Sequence, residues 1–70
     1  MIGAVRVHVN GAERDVARGT TVAELVQALA LASERVAVER NGRILRRAEH
    51  ERTELVEDDR LEIVTLVGGG

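Results

Sequence analysis

Seventy residues, 44% of them hydrophobic, with a net charge of −2, describe one small domain with enough apolar content for a globular core. A chain of this size buries only about 60% of the surface that its unfolded form exposes. The composition contains no cysteine, which excludes disulfides, thiolate metal sites and a cysteine nucleophile. It contains no aromatic residue and no basic excess, which removes the stacking platforms and positive field that nucleic-acid binders use. No long apolar run is present, and MIGAVRVHV alternates where a signal peptide would be continuously apolar, so a soluble cytoplasmic protein is expected.

In AVRVHV, Val5, Val7 and Val9 fall on one face and Arg6 and His8 on the other, which predicts a half-buried strand. Asn10-Gly11 then signals a hairpin, and the charged segment AERDVA, residues 12–17, returns as an edge strand. Thr21-Val22-Ala23-Glu24 matches a capping box, followed by Val22, Leu25, Val26 and Leu29 at helical spacing. This helix is expected to end near Ala30 to Ala32. Val36-Ala37-Val38 predicts a third strand, and Asn41-Gly42 turns it into a short fourth at Arg43-Ile44-Leu45.

RRAEHERTELVEDD is polar, with Leu55 and Val56 as its expected anchors and room for one helical turn. Asp58-Asp59 makes the last turn. In LEIVTLV, Leu61, Ile63 and Thr65 share one face while Glu62, Val64 and Leu66 share the other. Apolar residues on both faces suggest a central strand covered more fully than its neighbours. One helix across one face of a mixed sheet, with the last strand beside the first, is a β-grasp (ubiquitin-like) arrangement. The expected class is α+β, with a sheet of four to five strands and one main helix packed on one face.

Catalytic constellations are scarce. His8 sits on a polar strand face, His50 in a charged loop, and Ser33 is the only serine, so no catalytic triad is suggested. Glu57, Asp58 and Asp59 lack the ligand spacing of a calcium loop and are expected to form a solvated turn. No metal site, bound cofactor or catalytic residue is expected. All ten basic residues are arginine, which fits a codon bias; whatever its origin, no side-chain amine is available for acylation.

The sequence closes on Gly68-Gly69-Gly70. Such a segment is either a frayed end or a working one, since it is only as thick as its backbone. Extended, it reaches roughly 10 Å past the sheet, enough to thread a narrow channel and deliver the α-carboxylate of Gly70. That carboxylate is ionised at neutral pH, can attack the α-phosphate of ATP in a partner's site, and as an acyl-adenylate becomes open to a sulfur nucleophile. With no cysteine, this terminus is the evident place for covalent sulfur.

Across nearly all 70 residues the chain resembles the ThiS family, the ubiquitin-like sulfur carriers of thiamine biosynthesis. The resemblance rests on Val9-Asn10-Gly11, Gly19-Thr20-Thr21-Val22 with Leu25 and Leu29, and Val36-Ala37-Val38-Glu39 with Asn41-Gly42. It is completed by Asp59-Arg60-Leu61-Glu62-Ile63-Val64 and Val67-Gly68-Gly69-Gly70.

The resemblance implies a β-grasp body at residues 1–67 and a flexible tail at 68–70. It also implies a non-catalytic co-substrate, with Gly70 the adenylation and thiocarboxylate position and Gly68 and Gly69 its approach. The implied partners are an adenylyltransferase related to ubiquitin-activating enzymes, which uses ATP, a sulfur donor such as a cysteine desulfurase, and a thiazole synthase. Nucleic acid and membrane are not among them. Two positions depart from the family pattern: Asp58 stands where glycine is frequent, and Arg46 where proline is frequent. Related outcomes are carriage for tRNA thiolation or molybdopterin synthesis, protein tagging through Gly70, and a passive interaction domain. Arg6, His8, Arg40 and Arg43 are candidates for polar contacts with an activating partner.

Overall fold

Both Asn-Gly pairs form the tight turns that their chemistry favours. Asn10 and Gly11 have φ of 51° and 87°, Asn41 and Gly42 of 51° and 84°. Positive φ at both central residues matches the right-handed twist of the flanking strands, and asparagine and glycine bear it at least cost. The computed structural model describes residues 3–31 and 35–66.

The first turn joins β1, Ala4–Val9, to β2, Ala12–Ala17; the second joins β3, Val36–Arg40, to β4, Arg43–Leu45. The last strand, β5, spans Arg60–Thr65, and the five form one sheet in the order β2-β1-β5-β3-β4. β5 runs parallel to β1 and antiparallel to β3, so the final strand is central and lies beside the first. The charged strand β2 is an edge.

Helix α1, Val22–Ala28, lies on one face and supplies Val22, Leu25 and Val26 to the core. Its N-terminus is fully accounted for. The Glu24 amide donates to Thr21 Oγ1 at 3.2 Å, and Glu24 Oε1 accepts from the Thr21 amide at 3.0 Å. The Val22 and Ala23 amides donate to the carbonyls of Thr53 and His50. Amides of the first turn have no partner within a helix, so the 50–53 segment is tied to α1 by that need.

The helix ends at Ala28, two residues short of the expected range. Ala30 adopts φ 63°, its amide donates to Gln27 O, and the Leu31 amide donates to Val26 O. This pair of bonds is a Schellman stop, with alanine where glycine is usual. The Ala32 limit of the expected helix lies outside the described residues.

The core consists of branched aliphatics: Val5, Val7 and Val9 from β1, Val38 from β3, Leu61 and Ile63 from β5, the three helix residues, and Leu55 from the loop. The loop contains a single 3-10 turn at Arg47–Glu49. Leu55 is an anchor, only 1% exposed, but Val56 is not. Asp59 takes the buried place next to it instead, for the reason given below.

Candidate functional site

β5 carries the chain toward the glycine segment, and three sets of bonds hold it. β3 lines its whole length in the register Arg40↔Leu61 to Val36↔Thr65, and the Leu66 amide still donates to Arg35 O at 2.8 Å. β1 covers only its start, through His8↔Arg60 and Val9↔Leu61. Where β1 turns away, the Asn10 side chain continues the pairing. Its Nδ2 donates to Ile63 O at 3.0 Å, and its Oδ1 accepts from Ile63 N–H at 2.8 Å. Past Ile63, β5 is therefore paired on the β3 side alone.

The start of β5 is pinned by Asp59, which is 3% exposed. Its Oδ2 accepts from the Val56 amide at 2.9 Å and from Arg40 Nε at 3.1 Å, and its Oδ1 accepts from Asn41 Nδ2 at 3.1 Å. Asn41 Oδ1 in turn accepts from the Arg60 amide at 2.9 Å. Burial pushes this carboxyl up, but the bonds from Val56, Asn41 and Arg40 outweigh it and hold it below the ordinary aspartate value. The expected solvated turn is thus half right. Asp58 is exposed, at φ 68°, whereas Asp59 is a structural latch.

On the sheet face away from α1, β5 presents Glu62 and Val64, followed by Leu66; Ala37 and Glu39 of β3 and Ile44 of β4 stand beside them. Ile44 is 70% exposed, Val64 55% and Leu66 46%. The sequence pattern suggested cover on both faces of β5. Within this chain α1 covers only one, and Thr65 is exposed although it alternates with Leu61 and Ile63. The result is an open apolar strip running up to the glycine segment.

The polar half of the same face is largely satisfied internally. Arg6 Nε donates to Asp15 Oδ1 at 2.9 Å, and its Nη1 lies 3.6 Å from Glu13. The hydrogen bond and charge of Arg6 hold the Asp15 carboxyl below its usual range. His8 Nε2 is 3.9 Å from Asp58. Arg40, in register with Leu61 and so on the α1 side of the sheet, is engaged by Asp59. Arg43 is exposed. Of the four polar-contact candidates, three therefore have structural partners.

His50, expected on the surface, is 8% exposed, and its Nε2 has no hydrogen-bond partner among the described residues. It borders a pocket of about 400 Å³ with Gln27, Arg47 and Glu51. Among the described residues no group of three or more His, Cys, Asp or Glu side chains could hold a metal ion. No described helix is long and apolar enough to cross a membrane. Gly68, Gly69 and Gly70, the predicted site, lie outside the described residues.

The sequence profile of the ThiS family matches residues 7–70, a span that includes all three terminal glycines. This chain belongs to the ThiS family.

A solved crystal structure of a thiamine biosynthesis protein (ThiS) from Geobacter metallireducens superposes with a TM-score of 0.78 at 36% identity. The match covers 94% of this chain and 100% of that one. The solution structure of a thiamine biosynthesis protein from the same organism gives a TM-score of 0.75 over 88% of its length. Two thiazole synthases, from Magnetococcus marinus and Paramagnetospirillum magneticum, are 39% and 36% identical over 66 residues. The chain spans only 20% of the length of each, so a carrier-sized segment sits inside those longer proteins. The β-grasp expectation and the family resemblance both hold.

Proposed function

We propose that this protein is a sulfur carrier of thiamine biosynthesis, a co-substrate acted on by partner enzymes. One observation carries the proposal: the family match runs through Gly70, and the structure leads into that segment from a strand anchored at the centre of the sheet. A thin tail on a fixed strand suits delivery of one chemical group into another protein's site. In this reading residues 1–67 are the body and Gly68 and Gly69 the approach, with the α-carboxylate of Gly70 as the reacting group.

The chemistry needs two steps. The Gly70 carboxylate attacks the α-phosphate of ATP in a ubiquitin-activating-enzyme-like adenylyltransferase, releasing pyrophosphate and forming an acyl-adenylate. A persulfide, supplied by a donor such as a cysteine desulfurase, then attacks the acyl carbon and expels AMP. A thiol reduces the resulting acyl disulfide, being itself oxidised to a disulfide, and leaves the thiocarboxylate. ATP serves the partner, and this chain binds no cofactor of its own.

The sulfur is then donated to a thiazole synthase. The two longer relatives support that choice, since each bears the name thiazole synthase and contains a segment similar to this chain. The setting proposed is the cytoplasm. Appending one alanine after Gly70 displaces the reacting carboxyl by one residue and should abolish thiocarboxylate formation. Unchanged formation in that variant would refute the proposal.

A further inference from the structure

Backbone groups along β5 point alternately to its two sides. The Leu66 amide donates to Arg35 O and the Arg60 carbonyl accepts from the Asn41 amide, so the even-numbered residues of 60–66 are bonded to β3. The odd-numbered ones point to the β1 side. There the Leu61 carbonyl accepts from the Asn10 amide at 2.9 Å, and the Asn10 side chain meets both backbone groups of Ile63. The next residue on that side is Thr65. Its pair with Val36 is of the non-hydrogen-bonded kind, β1 has turned away, and Asn10 is used up one rung earlier. Among the described residues no hydrogen bond reaches the Thr65 amide or carbonyl.

An unpaired amide and carbonyl in strand geometry are a template for another strand. Edges are ordinarily guarded by charge, as β2 is by Glu13, Arg14 and Asp15. The Thr65 edge has no such guard: Ile63-Val64-Thr65-Leu66 contains neither a charge nor a proline. Its flanking side chains Val64 and Leu66 are instead apolar and 55% and 46% exposed. An open rung between two exposed apolar side chains fits an extended segment that brings both backbone groups and apolar side chains of its own.

We propose that the open rung at Thr65 is where the adenylyltransferase adds an extended segment of its own backbone to the sheet, covering Val64 and Leu66. This rests on the carrier function proposed above. The choice of partner follows from that chemistry, since the Gly70 carboxylate must be held in the adenylylating site before any sulfur is attached. Two main-chain bonds at Thr65 fix β5 against the partner just ahead of the glycines, so the added strand sets the direction in which they enter its site.

The test is quenched amide exchange of the full chain, read by NMR, alone and with saturating adenylyltransferase in the absence of ATP. The Thr65 amide should exchange freely in the carrier alone, unlike that of Val64, and should slow by about a hundredfold or more in the complex. Thr65→Pro removes this donor at a position where β3 does not use it, and a chain synthesised with N-methylthreonine at 65 does so without fixing φ. Both should melt close to the parent and bind the adenylyltransferase about tenfold or more weakly. Thr65→Val keeps the amide and should bind like the parent.

Free exchange of Thr65 in the complex would overturn the proposal, as would parent affinity in the N-methyl chain. Protection that appears in the carrier alone and grows with its concentration would place a second copy on the rung and overturn it. Protection by the thiazole synthase but not by the adenylyltransferase would do the same. Failure of the parent to accept sulfur, read by intact mass, counts against the carrier function alone, because binding and exchange are read without ATP.

Discussion

The Asn10 side-chain amide binds both backbone groups of Ile63, 53 residues away, at 3.0 and 2.8 Å. An asparagine that makes a tight turn therefore also serves as the next rung of the ladder after β1 has turned aside. Asn41 repeats half of this arrangement on the other side of β5, through the Arg60 amide. The two hairpins thus grip the strand that carries the tail from both flanks.

Asn10→Gly preserves the turn, since glycine takes positive φ freely, but removes both bonds to Ile63. Stability should fall by about 1–2 kcal/mol, with the loss of two partly buried hydrogen bonds. Chemical denaturation measures this directly, and amide exchange at Ile63 should quicken. An unchanged midpoint would mean that water replaces the amide without cost.

Asp59 should govern acid stability. Its carboxyl is held below the ordinary value in the folded chain, so its contribution is complete above the unfolded aspartate range, about pH 4, and disappears as pH falls through the lower folded value. Asp59→Ala should cost about 2–3 kcal/mol at neutral pH, because Arg40, Asn41 and the Val56 amide lose their acceptor. As pH falls through the folded value the difference between parent and variant should shrink, as urea midpoints followed from neutral pH into the acid range would reveal.

Ala30→Gly should stabilise the protein. Alanine in the left-handed region costs about 1–2 kcal/mol, and glycine relieves that strain at some entropic expense, for a net gain of about 1 kcal/mol. A higher melting temperature is the expected outcome. A lower one would show that the Ala30 methyl packs favourably enough to outweigh its backbone strain.

Ile44→Ser and Val64→Thr address the open apolar strip. Both residues are mostly exposed, so stability should stay within about 0.5 kcal/mol of the parent. Sulfur loading by the activating enzyme should nevertheless slow by about tenfold, as expected for truncation at the centre of an interface. Loading at the parent rate would exclude the strip from that contact.

Local signals carried most of the fold. The Asn-Gly turns, the Thr21–Glu24 box and the alternation in β1 each act within a few residues, and each formed as expected. The end of α1 was obscured because its stop uses Ala30, a strong helix former, where glycine would have marked the boundary. Asp59 looked like half of a solvated turn because its partners Arg40 and Asn41 come from the far end of β3 and meet it only through topology.

The open rung at Thr65 needed the strand register in the same way. Alternation in β5 correctly separated its two faces, but no local pattern says whether an apolar face is covered by the same chain or by another. His50, inside a charged stretch, gave no sign of burial, because its neighbours in sequence are not its neighbours in space.

The central claim is best tested by intact-mass spectrometry of the full chain after incubation with ATP, the activating enzyme and a sulfur source. A gain of about 16 Da, one oxygen replaced by sulfur, mapped to Gly70 is the predicted result. No gain, with the same enzymes active on another carrier, or the same gain in a chain lacking Gly69 and Gly70, would contradict it.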